Sequence, residues 1–143
     1  MAAASFFEMR IQTIIRNFIA KTSQNNPIIT SLVEEKVISR QYHTYFDWRE
    51  SNANKFFTLF GKDFKTQFQD VINKDMLLEE GVKAFLELGN LRNALIHQNF
   101  ASYTVNKTGT EVYGMYKKAE SFVNAFEIHL LSRALPPIPK PSS

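Results

Sequence analysis

Apolar residues recur at helical rather than alternating spacing along most of this chain of 143 residues. In "SFFEMRIQTIIRNFIA", residues 5–20, Phe6, Ile11, Ile14, Ile15 and Phe18 share one side of a helix. Ser5 suits its N-cap, and Arg10 and Arg16 take the wetter side. "KTSQNNP", 21–27, reads as a loop, because Asn25 and Asn26 form turns and Pro27 suits the first turn of a following helix. Residues 28–50 then carry Ile29, Leu32, Val33, Val37, Tyr42, Tyr45, Phe46 and Trp48, a pattern that predicts one long amphipathic helix.

"SNAN", 51–54, interrupts that pattern. It resumes through Phe56, Phe57, Phe60, Phe64, Phe68, Val71 and Ile72, with Gly61 marking a break or kink. Asp75 is placed to cap a further helix from Met76, which Val82, Phe85, Leu86, Leu88, Leu91 and Leu95 carry. Over 101–116 the character changes: Tyr103, Val105, Val112 and Tyr113 flank "NKTGT", which predicts a small hairpin or irregular arm. A last helix follows with Phe122, Val123, Phe126, Leu130 and Leu131. The expectation is an all-α bundle of about five helices with a short β-like hairpin or arm before the last one. Residues 1–134 form a single domain in this reading, and 135–143 a disordered Pro-rich tail with nothing to fold.

Composition agrees with that pattern. The chain is 44% hydrophobic with 13 phenylalanines, enough for an aromatic core, and its five glycines and five prolines are too few for a turn-rich β fold. The absence of cysteine excludes disulfides, cysteine nucleophiles and cysteine metal sites, and three histidines alone argue against structural zinc. No cofactor and no metal are expected. A net charge of +3 favours polyanion partners only weakly. No apolar run approaches the ~20 residues that span a membrane. "MAAASFFEMR" has no basic region before its short apolar stretch, so the expectation is a cytoplasmic protein without a membrane partner.

One stretch does not read as packing. "GNLRNALIHQNF", 89–100, gathers Gly89, Asn90, Arg92, Asn93, His97, Gln98 and Asn99 at the end of an apolar helix. Arg92 and His97 are five residues apart, about 140° around a regular helix, whereas Asn93 and His97 share a face. A working Arg–His site therefore needs either fraying after Leu95 or a second copy of the helix. Gly89 permits the close approach that a second copy would need. Such a site has a chemical use. A histidine can take the proton of an RNA 2′-OH, and an arginine fork can stabilise the charge that develops on the phosphate. Against it stands the ordinary duty of a helix-terminal histidine or arginine, which is to serve the last carbonyls and the dipole.

"LRNALIH", late on an amphipathic helix with one more helix after it, resembles the Arg-x4–6-His signature of the HEPN superfamily. The aromatic run ending in Trp48 and the "FFTLFGKDF" beyond it are similar to the RiboL-PSP-type HEPN subgroup. The resemblance implies a HEPN-like all-α fold and a homodimeric, metal-independent endoribonuclease with a composite site. It also implies a toxin or antiviral-defence role, with RNA and an antitoxin or other defence-system protein as partners. Position by position, it makes Arg92 and His97 catalytic and Asn93 their polar companion. One departure is Asn99, which stands where HEPN toxins silenced by nucleotidylation carry tyrosine. The competing reading is a non-catalytic dimeric adaptor or a nucleotide- or RNA-binding module, which a His97 packed in a dry core would favour. His43 reads as structural, and His129 as a surface or helix-end residue. Asp47 and Glu50 could assist if their segment lines the cleft.

Overall fold

The computed structural model describes residues 2–97 and 107–134. Among them are α1 (Ala2–Thr22), α2 (Pro27–Val33), α3 (Asn54–Thr58), α4 (Lys62–Asn73), α5 (Met76–His97) and α6 (Gly109–Leu131), and no strand. The fold is all-α, as the periodicity predicts. The Pro-rich segment 135–143 lies outside the described residues.

Phe7, Ile11, Ile14 and Ile15 bury one stripe of α1. Phe7, rather than Phe6, faces the core: Phe6 stays 37% exposed and Phe7 1%. The Asn26 side chain accepts from the Ile28 and Ile29 amides at 3.0 and 3.2 Å, and Pro27 opens α2 where its missing N–H costs nothing.

The long helix expected over 28–50 does not form. A π-helical turn, Glu34–Ile38, follows α2, and the chain leaves it through an extended Ser39 and an Arg40 with φ of 60°. A single 3-10 turn, Tyr42–Thr44, comes next. The cause is packing. Ile38, Tyr42, Tyr45 and Phe46 are all buried at spacings that a straight helix would also serve; tertiary contacts decide instead, with the Phe46 ring drawn to 4.5 Å from Phe56 and 5.0 Å from Phe85. The Tyr45 hydroxyl donates to the Val37 carbonyl that the broken helix leaves free.

Gly61 does mark a break. Its φ of 100° is open to glycine, and it separates α3 from α4. Asp75 caps α5 by accepting from the Leu77 amide at 3.0 Å.

The second half of the expected hairpin is also helical. Val112 and Tyr113 lie within α6, whose start is fixed by Thr108: its hydroxyl accepts from the Glu111 amide at 3.1 Å. Thr108-x-x-Glu111 has the spacing of a capping box, and it overrides the turn tendency of "NKTGT". The first half, 101–106, lies outside the described residues.

α5 and α6 pack along their length, and a Cβ at Gly81 would collide with the Lys118 carbonyl oxygen. Around this pair lies an aromatic core in which Phe7, Phe56, Phe57, Phe68, Phe85, Phe122 and Phe126 are fully buried. Phe56 bridges it, with ring centroids 4.5 Å from Phe46 and 5.0 Å from Phe126. Each such side chain contributes about 1.5–3 kcal/mol by burial, so this core dominates the energetics.

Candidate active site

The last two turns of α5 rest on an aromatic pad. Trp48 stacks near Phe85 at 6.0 Å and lies 5.7 Å from Tyr42. Its indole N–H donates to the His43 carbonyl at 3.1 Å, which fixes the ring. That ring fills the space above Gly89, where any Cβ would overlap Trp48 Cζ3. The close approach expected of Gly89 is therefore spent within the chain, on Trp48, and not on a second helix.

One turn further on, Arg92 points inward. It is 9% exposed, a charged residue among the otherwise apolar buried set. Its Nη1 lies 3.0 Å from Glu8 Oε1 of α1, and its guanidinium carbon sits 5.7 Å from the centroid of the Tyr42 ring. Its Nε is buried with no hydrogen-bond partner. Burial raises the pKa of the Tyr42 phenol strongly, and the neighbouring Arg92 offsets this only in part. Tyr42 is thus neutral at physiological pH and offers the guanidinium a π face, not a charge. A buried arginine with an unsatisfied N–H is costly, and that cost calls for a reason.

His97 ends α5 and is exposed. The helix stays regular to that point, so fraying after Leu95 does not swing His97 toward Arg92. Within one chain Arg92 faces the domain and His97 faces outward. Asn93, half-buried, shares the His97 side. Ile96 beside them is 62% exposed.

The other candidates divide. His43 is exposed, and its backbone positions Trp48. His129 stands in the last turn of α6, the helix-end place expected of it, and is half-buried: it stacks on Phe68 at 4.9 Å and meets Phe64 edge-on at 5.2 Å, and its Nε2 is buried and unpaired. Burial, and secondarily Arg133, lower its pKa. Glu50 lines a shallow hollow beside Asn90, with Trp48, Lys83 and Glu87. Asp47 is exposed and accepts from the Arg49 amide at 3.4 Å. A larger apolar hollow of about 670 Å³, walled by Phe18, Val33, Tyr45 and Phe60, contains none of Arg92, Asn93 and His97. Among the described residues no group of three or more His, Asp or Glu is placed to hold a metal.

Sequence reasoning missed Glu8 and Tyr42. A signal for Glu8 existed: it stands four residues after Ala4, three before Ile11 and seven before Ile15, all buried, so a carboxylate lies on the apolar stripe of α1.

The class defined by this architecture is a small all-α domain whose central helix ends in a buried arginine and an exposed histidine. The model of the family described as RiboL-PSP-HEPN matches residues 1–132, and the chain belongs to that family. No curated protein and no solved structure gives a match. No described helix is long and apolar enough to cross a membrane.

Proposed function

We propose that this protein is a metal-independent endoribonuclease that works in the cytoplasm as a homodimer, as a toxin or antiviral-defence effector. The observation that carries the reading is Arg92: a buried guanidinium with an unpaired Nε, held five residues before an exposed helix-terminal histidine. Because the two diverge by about 140° on a regular helix, the working site joins Arg92 of one protomer to His97 of its partner. Ile96, beside His97, is 62% exposed and supplies apolar contact surface for that pairing.

In this reaction His97 removes the proton of a 2′-OH. The oxygen attacks the adjacent phosphorus, and Arg92 stabilises the charge gathering on the phosphate oxygens. The proton returns to the departing 5′-oxygen, which leaves a 2′,3′-cyclic phosphate and a 5′-hydroxyl. Asn93, on the His97 side, orients the imidazole or the phosphate. No step draws on a cofactor. An antitoxin or another defence-system protein is the expected regulator. Asn99, the position that bears on nucleotidylation, lies outside the described residues.

The test is incubation of purified protein with RNA and EDTA beside Arg92→Ala and His97→Ala. The wild-type chain alone should cut. Loss of cleavage with EDTA, or products with 5′-phosphates, contradicts the mechanism. The adaptor reading has one observation in its favour, the Arg92–Glu8 pair, which ties α5 to α1 with no ligand needed. No cleavage by the wild-type chain, beside intact dimerisation, would favour it, whereas full activity in both variants would remove Arg92 and His97 from the chemistry.

A further inference from the structure

The tie between Arg92 and Glu8 has an asymmetry. The arginine side chain is 11% exposed and the glutamate 38%. Glu8 is the wetter partner. The contact is one-pronged: Nη1 meets a single carboxylate oxygen, and Nε has nothing. The fork that suits two oxygens of one anion is therefore only part used. No second carboxylate pairs with Arg92 among the described residues, and the Tyr42 face beneath it carries no charge.

A buried ion pair roughly breaks even against its desolvation cost, so one member can be exchanged for a better anion at little net expense. The cheaper member to release is the one already near water. Glu8 can swing to solvent, whereas Arg92 is held by the Tyr42 ring and the helix behind it.

The geometry points to Glu8 as a displaceable counterion: it holds Arg92 in place and masks its charge until an RNA phosphodiester takes over the guanidinium. This rests on the endoribonuclease reading for the identity of the anion. Glu8 is thus a positioning residue with a price in affinity, and it keeps the unliganded site from binding phosphates indiscriminately.

The experiment measures binding of a short single-stranded RNA made uncleavable by 2′-O-methyl groups, by fluorescence anisotropy over a salt series. The proteins are wild type, Glu8→Gln, Glu8→Asp, Arg92→Ala and the Glu8→Gln/Arg92→Ala double variant. Glu8→Gln should bind about tenfold tighter, since one competing charged hydrogen bond is gone. Its salt dependence should steepen by about one counterion. Glu8→Asp should fall between Glu8→Gln and wild type, because it keeps the charge with a shorter reach. The gain should vanish in the double variant. Unchanged or weaker binding by Glu8→Gln, or a gain that survives without Arg92, overturns the proposal. Cleavage of ordinary RNA is scored separately. If no protein cuts but the Arg92-dependent gain appears, the endoribonuclease reading fails and the counterion exchange stands.

Discussion

Of the three arginine–glutamate pairs that tie α1 to other parts of the fold among the described residues, Arg16–Glu34 and Arg92–Glu8 are built differently. Arg16 and Glu34 meet at the surface, fork to fork, through two bonds of 2.9 Å, with side chains 45% and 43% exposed. That hydrogen bonding raises the Arg16 pKa and lowers that of Glu34, the mark of a pair each partner satisfies. Arg92 and Glu8 meet through a single 3.0 Å contact at the edge of the core, and Arg92 keeps an unpaired buried Nε. The first pair is complete and stabilises little, because exposed pairs contribute about 0–1 kcal/mol. The second is incomplete where incompleteness is expensive. Geometry alone thus separates an arginine whose donors are satisfied at the surface from one that keeps a buried donor unpaired.

Removing each arginine should widen that contrast. Arg92→Ala should lower the cleavage rate by about 10²–10³-fold, the scale for one group that stabilises developing charge, and binding by less. Arg16→Ala should leave the rate unchanged. Initial rates and RNA affinities on the same preparations check both, and equal losses in rate and binding for Arg92→Ala would reduce it to an anchor. His97→Ala should cost about 10²–10⁴-fold, with its thermal transition unchanged because the side chain is exposed.

The platform beneath Arg92 can be broken without touching it. Gly89→Ala pushes into the Trp48 ring and should destabilise the fold by about 1–3 kcal/mol, the usual cost of overpacking, as measured by urea unfolding. A neutral result would mean that Trp48 is free to leave, and that Gly89 is available to another helix after all.

The contrast in pH response is smaller. His129 has a folded pKa below its ordinary 6.5, so the unfolded chain takes up the proton more readily than the native one. Stability from this source is intact above that ordinary value, erodes as pH falls below it, and levels off once the folded value is passed. His129→Leu should flatten this part of the stability–pH curve. Glu34 has a lowered folded pKa, so its contribution is full above the ordinary carboxylate value, erodes as pH falls below that and is gone once the folded value is passed, and Glu34→Gln should remove that separate, more acidic slope. The smallest expected effect is Arg16→Ala at neutral pH, no more than about 1 kcal/mol by the same unfolding assay.

The helices that could be read from the chain are those whose own side chains decide them. α5 was legible from the Asp75 cap to His97 because its period and its start signal agree, and the Gly61 break because only glycine is at ease there. The segment from Glu34 to Trp48 was not, since its apolar spacing fits a helix. What breaks the helix is distant: Phe56 and Phe85 receive Phe46 at 4.5 and 5.0 Å. At the start of α6 two local signals competed, and the Thr108 cap prevailed over the turn-forming "NKTGT". In the candidate site the α5 residues were legible as a motif. The place of Glu8 on the apolar stripe of α1 was a local signal, but its pairing with Arg92 across 84 positions of chain, and that of Tyr42, were not legible, because local spacing does not say which distant residue is the partner. Gly89 was singled out for its freedom, but which neighbour uses that freedom is a fact of tertiary packing.

The central claim is that Arg92 of one protomer works with His97 of the other, and mixing inactive variants tests it most directly. Arg92→Ala and His97→Ala are each purified, shown to be inactive, then combined and allowed to exchange subunits. Half of the dimers become mixed, and each mixed dimer keeps one intact Arg–His pair, so activity should return to about a quarter of wild type. If the mixture stays as inactive as its components after exchange is verified, the two residues act within one chain and the composite site is wrong.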